Sequence, residues 1–504
     1  MQKLPKVSVN KLIKDLLYKE KNEIIFRYKN KEISRLELYN KILQARTGLL
    51  NKGFKNKDKV VCLLDNSYEQ IILFLACLSL GIVWVPIESK RKGIGLNYII
   101  KLVNPKAIFT RSKKNLEKKF KKKIVFVNKD LSNILKSAQN YNLEFKKNIK
   151  CILFTSGTTG PPKGVILRDK MLIASAYATG MACDIKKKDR FLLWESLSHI
   201  GGIEILLLCL MEGSRFYLLK KFSVKKFWKQ VKKYKITKLH YLGGILDILL
   251  KQKSKKIDKN HQVKIAFGAG SREETYYEFK KRFNIPLREV YGMTEASSFT
   301  TINFNKKLGS IGKTLPWFKL KIIKKVNGIG EIVINQKQKG LITKGYYKDS
   351  KSSKILIQKD GLHTGDLGKI DSNGNVFYIG RIKDFVRVKG ENISSWEIET
   401  NLNMHKDISE SAILSTKADI GEEDIIALLL AKNNKKNNLN KIASFFQKKL
   451  PKNYNPRYWS YVDSLPRTPT FRIDKKLINI NSLKLYDFLN KKFVFIKLNR
   501  FLGV

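Results

Sequence analysis

The sequence predicts an α/β protein in which a large amino-terminal domain of parallel sheets flanked by helices, with a small barrel-like part, precedes a small mobile α+β domain. Short apolar runs alternate with helical segments in the amino-terminal part, which is the pattern of parallel sheets. After Gly330 the pattern changes to hairpin-like runs. The 504 residues also exceed what one hydrophobic core normally sustains. We predict domains at residues 1–382 and 383–504.

The amino-terminal strands are predicted from short apolar segments bounded by polar residues. Between these segments lie helical patterns such as "SRLELYNKILQARTGLL", residues 34–50. Strands separated by helices favour parallel pairing. The predicted strands are residues 58–65, 107–110, 123–127 and 151–155.

The longest apolar run, from Ile71 to Ile87, has two interpretations. A membrane helix is one of them, but the run is a little short for that and Gly81 divides it. A buried helix over 68–80 followed by a strand over 82–86 explains the pattern better. The apolar segment 203–213 is likewise predicted to be a buried helix.

The carboxyl-terminal part begins with hairpin patterns. Asn373 and Gly374 form a strong turn signal between two alternating segments. Beyond a boundary near residues 380–384, the segments "VRVKGENISSWEIETNLNMH" and "ESAILST" predict a small α+β domain. The later stretch "LPRTPTFRIDKKLI" is a loop interrupted by prolines and followed by a basic segment.

Charge and cysteine content limit the classes of partner and compartment. The net charge is +57, but the lysines are spread through every segment and form no stripe with interleaved aromatics. This predicts a solvated basic surface and no specific nucleic-acid site, with weak attraction to an anionic membrane surface as the alternative. The five cysteines lack paired spacing and no apolar leader follows residue 10, so we expect a reducing, cytoplasmic location.

The stretch "CILFTSGTTGPPKGVIL", residues 151–167, combines a strand with a phosphate-binding composition. Small residues leave backbone N–H groups unhindered, hydroxyls add donors, and Lys163 supplies a flexible positive charge. The spacing differs from that of the Walker loop. A plain glycine-rich turn is the alternative. The predicted phosphate-binding residues are Thr155, Ser156, Gly157, Thr158, Thr159 and Gly160.

The segment "TSGTTGPPKGV" resembles the phosphate-loop signature of the adenylate-forming, or AMP-binding, superfamily of acyl-CoA synthetases, peptide-synthetase adenylation domains and luciferases. Four further segments resemble signatures of that superfamily in the same order, and the resemblance extends over most of the chain. They are "YGMTEAS" (291–297), "HTGD" (363–366), "GRIKDFVRVKGENIS" (380–394) and "LPRTPTFRIDKK" (465–476). Several stretches look most like the branch of carnitine or crotonobetaine CoA ligases.

The resemblance implies roles for individual residues. Thr294 would contact phosphate, Glu295 would hold Mg²⁺, and Asp366 and Arg381 would lie beside the ribose. His199 would line the acyl pocket and the pantetheine tunnel, with a purely structural histidine as the alternative, whereas His363 would take no part. The remaining residues expected to contact nucleotide or acid are Gly268, Ala269, Gly270, Tyr291, Lys383 and Gly390.

The expected reaction explains why the site needs these groups. Joining a carboxylate to ATP brings two anions together, so the site must neutralise charge around the α-phosphate and exclude water. Glu295 with Mg²⁺, Lys163 and a cation from the carboxyl-terminal loop would do this. The catalytic set is therefore Thr294, Glu295, Lys163 and Arg472, with ATP, Mg²⁺ and coenzyme A as cofactors and co-substrates.

One departure from the superfamily pattern lies in the carboxyl-terminal loop. The superfamily usually has a glycine and a lysine where this chain has Phe471 and Arg472. Arginine keeps the charge but has a broad planar head, so the exchange is not conservative at a tight site. Three outcomes stay open: Arg472 acts, Lys475 or Lys476 takes its place, or adenylation has been lost.

The predicted function is an AMP-forming acid–thiol ligase. A small carboxylic acid and ATP would give acyl-AMP and pyrophosphate, and CoA would then displace AMP. Rotation of the small domain about Lys383 would alternate the two half-reactions. The alternatives are an adenylation enzyme that loads a carrier protein and a degenerate, nonenzymatic nucleotide-binding protein. The acid, a homodimer and the pathway stay open.

Overall fold

The structure, a computed structural model, divides into two compact units by the density of contacts within each. The first comprises Met1–Tyr241, Leu246–Leu320 and Ile334–His363, and the second Leu242–Ile245, Lys321–Val333 and Thr364–Val504. The domain boundary between residues 382 and 383 stays a prediction. The residues that the structure describes are 4–113, 116–126, 133–134, 144–147, 150–155, 161–254, 256–271, 273–326, 328–382, 385–388, 391–418, 423–434, 436–451, 454–468 and 473–496.

The helices of the described residues follow in chain order. They are α1 (Val9–Tyr18), α2 (Arg35–Asn51), α3 (Tyr68–Ser79), α4 (Gly93–Val103), α5 (Asp169–Cys183), α6 (Ile200–Glu212), α7 (Phe227–Lys233), α8 (Gly243–Leu250), α9 (Glu273–Phe283), α10 (Ser350–Leu356), α11 (Ser395–Asn403) and α12 (Leu439–Lys449).

The strands are given in two groups. Those up to residue 314 are β1 (Ile24–Tyr28), β2 (Lys31–Ser34), β3 (Lys59–Leu63), β4 (Val83–Pro86), β5 (Ala107–Thr110), β6 (Ile124–Phe126), β7 (Lys150–Thr155), β8 (Lys163–Arg168), β9 (Arg190–Leu193), β10 (Arg215–Leu218), β11 (Lys238–Leu242), β12 (Ile265–Ala269), β13 (Leu287–Met293), β14 (Ser298–Ile302) and β15 (Ser310–Thr314). Those that follow are β16 (Phe318–Val326), β17 (Ile329–Gln336), β18 (Ile357–Gln358), β19 (Gly361–Ile370), β20 (Val376–Arg381), β21 (Phe385–Val388), β22 (Glu391–Ser394), β23 (Ile408–Lys417), β24 (Glu423–Ala431), β25 (Tyr458–Val462), β26 (Leu485–Asp487) and β27 (Lys492–Val494).

The first sheet of the first unit has the strand order β6-β5-β3-β4-β7-β8. Its strands are parallel except for β8, which returns antiparallel to β7. Val61 of β3 and Ile108 of β5 form a buried apolar cluster with residues of α4 such as Ile99. The predicted strands at 58–65, 107–110 and 151–155 are confirmed. The hairpin of β7 and β8 holds the two ends of the predicted phosphate loop.

The second sheet of the first unit runs β15-β14-β13-β12-β11-β9-β10-β1-β2. The pairs β1–β10, β9–β10, β9–β11 and β12–β13 are parallel, whereas β13, β14 and β15 form antiparallel neighbours. Because parallel strands end at the same edge, the carboxyl ends of β12 and β13 carry their following turns side by side. The glycine segment of residues 268–270 leaves the sheet at the end of β12, and the second signature, "YGMTEAS" (291–297), leaves it at the end of β13.

The buried helices show why the apolar runs do not require a membrane. Ser67 caps the amino-terminal end of α3, because its side chain accepts a hydrogen bond from the backbone N–H of Gln70. The helix ends shortly before Gly81, which has a φ of +71°. Strand β4 follows, so the predicted helix and strand of this run are confirmed. Helix α6 confirms the second buried helix. Within the described ranges, no helix is long and apolar enough to cross a bilayer.

The second unit contains antiparallel strands and a five-stranded sheet. Strands β19 and β20 pair around the predicted turn, where the Asp371 side chain accepts hydrogen bonds from the backbones of Asn373 and Asn375. The five-stranded sheet has the order β23-β24-β25-β26-β27. Helices α11 and α12 contribute buried residues such as Ile398 and Phe446 to its core. This agrees with the predicted small α+β arrangement.

All five cysteines are buried free thiols. They are Cys62, Cys77, Cys151, Cys183 and Cys209. No disulfide bond therefore links any two of these five residues.

Candidate active site

The predicted phosphate loop connects two paired strands. Thr155, the last residue of β7, lies opposite Lys163, the first residue of β8. The Thr155 hydroxyl donates a weak hydrogen bond to the Lys163 carbonyl oxygen at 3.4 Å. Ser156 to Gly160 lie outside the described residues. The structure therefore fixes the base of the loop, with the lysine at one end.

Tyr346 joins two of the predicted catalytic residues. The Lys163 ammonium lies 5.1 Å from the centroid of the Tyr346 ring, within the range of a cation–π contact. The Tyr346 hydroxyl donates a hydrogen bond to Glu295 Oε1 at 2.9 Å. A β-bridge between Val165 and Tyr346 fastens this tyrosine to strand β8. Lys163 and Glu295 are thus brought to the same tyrosine side chain.

The second signature folds into a short 3₁₀ turn of Thr294–Ala296 after β13. Glu295 is buried, and its carbonyl oxygen accepts a hydrogen bond from the Thr343 backbone at 2.8 Å. Ser297 and Ser298 then adopt φ +58° and +69°, which costs a non-glycine residue about 1 kcal/mol or more. The Ser297 hydroxyl donates to the Leu341 carbonyl oxygen at 2.5 Å. Side-chain and backbone contacts therefore hold a strained turn in place.

Tyr291 lies in strand β13, three residues before Thr294. It is buried, and its carbonyl oxygen accepts a hydrogen bond from the Thr300 hydroxyl of β14 at 3.2 Å. Tyr291 therefore belongs to the same hairpin as the turn. Its contact with nucleotide stays a prediction.

The donor set at Glu295 fits a magnesium ion that is shared with phosphate. Mg²⁺ is usually held in proteins by one or two carboxylates together with substrate phosphates and water. Within the described part of the chain, no three His, Cys, Asp or Glu side chains are grouped to hold a metal. A single buried carboxylate beside the base of the phosphate loop suits this shared kind of binding.

The segment of Gly268, Ala269 and Gly270 ends strand β12 against its neighbouring strands. A Cβ at Gly268 would lie 1.9 Å from the carbonyl oxygen of Tyr241, so no larger residue fits there. The backbone N–H groups of Gly270 and Ser271 donate to the carboxylate of Glu289. The Tyr241 hydroxyl donates to the same carboxylate at 2.6 Å. Glu289 thus holds the turn that follows β12, where nucleotide or acid contacts are predicted.

Glu289 was not predicted from the sequence, because its role depends on the parallel pairing of β12 with β13. This pairing places Glu289 beside Gly268. Burial raises the pKa of Glu289 to about 7, even though its three hydrogen bonds favour the carboxylate. The turn is therefore sensitive to protonation near neutral pH.

His199 stands at the amino-terminal end of α6 and is half-buried. Its Nε2 atom lies 2.8 Å from Oε1 of Glu88. Glu88 was not predicted as the partner of His199, although a charged residue two positions after the buried strand β4 could have indicated it. Glu88 orients the imidazole, and the predicted contact of His199 with the acid stays a prediction.

The second unit brings together the two residues predicted for the ribose. Asp366 and Arg381 face each other across β19 and β20, with Arg381 Nε 3.1 Å from Asp366 Oδ1. The backbone N–H of Gly365 donates to Glu331 at 3.0 Å. His363, which we expect to take no part, lies 2.8 Å from Asp360. The pairing of Asp366 with Arg381 fits a shared function.

Among the residues of the carboxyl-terminal signatures, Lys383, Gly390, Phe471 and Arg472 lie outside the described residues. Lys475 is described, and its ammonium lies 2.7 Å from Oε1 of Glu399. This ion pair would have to break before Lys475 could replace Arg472. Whether Lys475 or Lys476 takes the place of Arg472 stays open.

The comparison with protein families decides the membership of the chain. A sequence model of AMP-binding enzymes matches residues 16–347, which is more than half of the chain. The chain belongs to the AMP-binding enzyme family. The matched region includes Thr155, Lys163, Thr294 and Glu295.

Known proteins resemble this AMP-binding enzyme over most of its length. The 2-succinylbenzoate–CoA ligase of Oceanobacillus iheyensis is 29% identical, and the match covers 86% of this chain and 91% of the relative. ATP-bound MatB of Rhodopseudomonas palustris has a TM-score of 0.84 at 23% identity, with 94% and 98% of the two chains covered. The o-succinylbenzoate CoA synthetase of Bacillus subtilis, solved with its acyl-adenylate intermediate, has a TM-score of 0.81 at 22% identity, with 92% and 97% covered.

These findings confirm the predicted fold and enzyme class: this AMP-binding enzyme is an adenylate-forming CoA ligase. The expected ATP, Mg²⁺ and CoA agree with the relatives, since the Bacillus subtilis enzyme was also solved with ATP and a magnesium ion. The comparisons do not support the narrower assignment to the carnitine branch or to fatty acid metabolism. The roles of individual residues are not tested by these comparisons and stay predictions.

Proposed function

We propose that this AMP-binding enzyme joins 2-succinylbenzoate, or an aromatic acid of the same class, to coenzyme A. The gathering of Lys163 and Glu295 at Tyr346, beside the base of the phosphate loop, supports the ATP-dependent step. The acid is inferred from relatives that carry the name 2-succinylbenzoate–CoA ligase and match 86–88% of this chain.

In the first half-reaction, a carboxylate oxygen of the acid attacks the α-phosphorus of ATP. A new P–O bond forms, the bond to the β-phosphate oxygen breaks, and pyrophosphate leaves. Thr155, Lys163 and the residues of the loop hold the phosphates, while Thr294 contacts the α-phosphate. Glu295 would hold Mg²⁺, which supplies positive charge against the negative charge of the phosphates. Arg472 provides a further cation from the carboxyl-terminal loop.

In the second half-reaction, the CoA thiolate attacks the acyl carbon and AMP leaves. Asp366 and Arg381 hold the ribose, so that AMP stays oriented through both steps. His199, oriented by Glu88, lines the path of the acid and the thiol. Rotation about Lys383 exchanges the carboxyl-terminal loop for the segment that contains Gly390.

The proposal also includes a cytoplasmic location and a weak attraction of the basic protein surface to anionic membranes. The burial of five free thiols is compatible with a reducing cytoplasm. The net charge of +57 would attract the protein weakly to anionic membrane surfaces, in a manner that depends on salt.

A product assay tests the proposal directly. The protein is incubated with ATP, Mg²⁺, CoA and 2-succinylbenzoate, and acyl-AMP, acyl-CoA, AMP and pyrophosphate are measured by mass spectrometry. We expect acyl-CoA and AMP in equal amounts. Benzoate, succinate, malonate and crotonobetaine serve as comparison acids. Release of ADP, or faster turnover of crotonobetaine than of 2-succinylbenzoate, would contradict the proposal.

A further inference from the structure

A buried asparagine connects the two sheets of the first unit beside the loop that carries His199. Asn66 follows strand β3 of the first sheet and is only 2% exposed. It directly precedes Ser67, which caps helix α3, so the backbone of Asn66 is fixed at the start of that helix. The reaction described above gives Asn66 no role.

The Asn66 amide makes three hydrogen bonds to segments that follow strands β9 and β10 of the second sheet. Its Nδ2 atom donates to the carbonyl oxygen of Glu195 at 2.6 Å and to that of Leu219 at 3.1 Å. Its Oδ1 atom accepts from the backbone N–H of Leu197 at 2.9 Å. The two carbonyls determine the orientation of the amide, because a flipped amide would place its oxygen against them. One side chain of the first sheet therefore holds two segments of the second.

The bonds from Asn66 to the loop lie on either side of Ser196, and Ser196 holds the backbone of His199. The Ser196 carbonyl oxygen accepts a hydrogen bond from the His199 N–H at 3.0 Å. Helix α6 starts directly after His199. Loss of the Asn66 amide would leave buried backbone groups of the loop without a partner, so the loop would have to move. The place of His199 thus depends on Asn66.

The residue before Asn66 contacts the segment that carries the other partner of His199. The Asp65 carboxylate accepts a hydrogen bond from the Ser89 hydroxyl. Ser89 follows Glu88, whose Oε1 atom lies 2.8 Å from Nε2 of His199. The adjacent residues Asp65 and Asn66 therefore hold both sides of the His199–Glu88 pair.

We propose that Asn66, supported by Asp65, is a positioning residue for the acid and the CoA thiol, and that it acts by placing His199. The inference rests on the proposed function, because that function puts His199 along the path of the acid and the thiol. The phosphate loop and the turn of Thr294 and Glu295 are separate from this loop, so Mg-ATP binding should not depend on Asn66.

Two variants of Asn66 test the placement of the loop. Asn66→Asp keeps the size of the side chain but turns a second acceptor oxygen toward the two carbonyl oxygens, and Asn66→Ala removes the amide. We expect both variants to raise the KM for the acid and for CoA about tenfold, since a misplacement of about 1 Å can cost up to about 100-fold. The Kd of Mg-ATP, measured by calorimetry, should change less than about twofold.

The matched control is Asn303, a buried asparagine that follows β14 in the same unit. Its amide has the same bonding pattern, because Nδ2 donates to the carbonyl oxygens of Lys307 and Ser310 and Oδ1 accepts from the N–H of Lys307. These bonds stay within residues 303–310. Asn303→Ala should therefore lower the urea midpoint and leave both KM values unchanged. Equal KM increases in Asn303→Ala and Asn66→Ala would overturn the proposal, because loss of stability would then explain them.

A double-mutant cycle tests whether Asn66 acts through His199. His199→Ala should lower kcat/KM for CoA, and adding Asn66→Ala should lower it little further. Losses that multiply in the combined variant would overturn the proposal. If the Asn66 variants do not fold, Ser89→Ala decides, since it removes the contact with Asp65 at a partly exposed position. A wild-type KM for CoA in Ser89→Ala would then contradict the proposed positioning.

NMR and turnover distinguish this inference from the proposed function. The imidazole signal of His199, assigned by its loss in His199→Ala, should shift in Asn66→Asp and stay unchanged in Asn303→Ala. A protein that shows this shift but makes no acyl-CoA would refute the proposed function and support the placement of His199 by Asn66. A protein that makes acyl-CoA while folded Asn66→Asp keeps the wild-type KM values would refute the role of Asn66 alone.

Discussion

At the scale of single residues, Tyr346 was not found by sequence reasoning. It lies in "KGYYKDS", a stretch without a strong chemical signal. Only the fold brings its hydroxyl to Glu295 and its ring to Lys163. A hydroxyl that donates to a metal-binding carboxylate fixes the orientation of that carboxylate. We therefore expect Tyr346 to act on the binding of Mg²⁺ through Glu295.

Tyr346→Phe removes the hydroxyl and keeps the ring beneath the Lys163 ammonium. Loss of such an outer partner typically costs about 10- to 100-fold in metal affinity. We expect the Mg²⁺ concentration that gives half-maximal pyrophosphate exchange to rise at least about tenfold. Calorimetry of Mg-ATP binding provides a second measurement. Tyr347→Phe is the neighbouring control. Equal Mg²⁺ dependence in the two variants would contradict the role of Tyr346.

The strand position of Gly268 has no room for a side chain, and this predicts the effect of a substitution there. Gly268→Ala should destabilise the protein by about 2 kcal/mol or more, because its Cβ would lie 1.9 Å from the Tyr241 carbonyl oxygen. Gly95→Ala is the control, since Gly95 lies in α4 and its Cβ would meet nothing closer than 3.8 Å. Urea denaturation measures both. A urea midpoint for Gly268→Ala equal to that of wild type would contradict this prediction, because it would mean that β11 and β12 move apart at little cost.

At the scale of elements, the sequence predicted strands and helices where composition alone determines them. Helix α3 and strand β4 are one example, because Gly81 interrupts an otherwise continuous apolar run. The positive φ values of Ser297 and Ser298 were not predictable, since serine has no preference for that conformation. Glu289 and Glu88 were not identified from the sequence for another reason, because their contacts join segments that are distant along the chain.

Helix α6 buries Glu204, and this makes stability depend on pH. The pKa of Glu204 is about 8 in the folded state and near 4.5 when exposed. Between these values the folded state holds a proton that the unfolded state has lost, so the contribution of Glu204 to stability falls as pH rises, by about 1.4 kcal/mol per pH unit.

Glu204→Gln cannot ionise and should remove this fall. The expected outcome is a variant that gains stability relative to wild type between pH 5.5 and pH 8, measured by urea denaturation at both values. Comparison with Glu212→Gln shows how much of the gain belongs to Glu204. A constant difference between Glu204→Gln and wild type at the two pH values would rule out this titration.

At the scale of the whole molecule, the five signatures predicted the family, the fold and the enzyme class. The acid could not be predicted from the sequence, because the residues expected to shape its pocket, such as His199 and Gly268, come from elements that are distant along the chain. The resemblance to the carnitine branch gave no reliable guide to it. Relatives of this chain carry the name 2-succinylbenzoate–CoA ligase, and the use of that acid by this chain stays a proposal.

Arg472 stands where the family usually has a lysine, and its contribution is measurable. Arg472→Ala should lower ATP–pyrophosphate exchange by up to about 10²- to 10³-fold, the range found when a transition-state donor is removed. Lys475→Ala is the control, because Glu399 already pairs with Lys475. Undiminished exchange in Arg472→Ala would remove this residue from the mechanism.

In the proposed mechanism the two half-reactions use two arrangements of the carboxyl-terminal segment, and Lys383 is the predicted hinge. Lys383→Pro should retain adenylate formation and lose thioester formation, because proline restricts φ at the rotating residue. Acyl-AMP and acyl-CoA are measured separately in one assay. Equal loss of both products would argue against alternation in this protein.

The burial of all five cysteines has a chemical consequence for an enzyme that works with a thiol and an activated acyl group. Burial raises the pKa of each cysteine thiol above its ordinary value. Nucleophilic thiolates are therefore scarce on the native protein. We therefore expect the cysteine thiols of the protein neither to attack the acyl-adenylate nor to form mixed disulfides with CoA. The thiol of CoA then has no competition from these five cysteines.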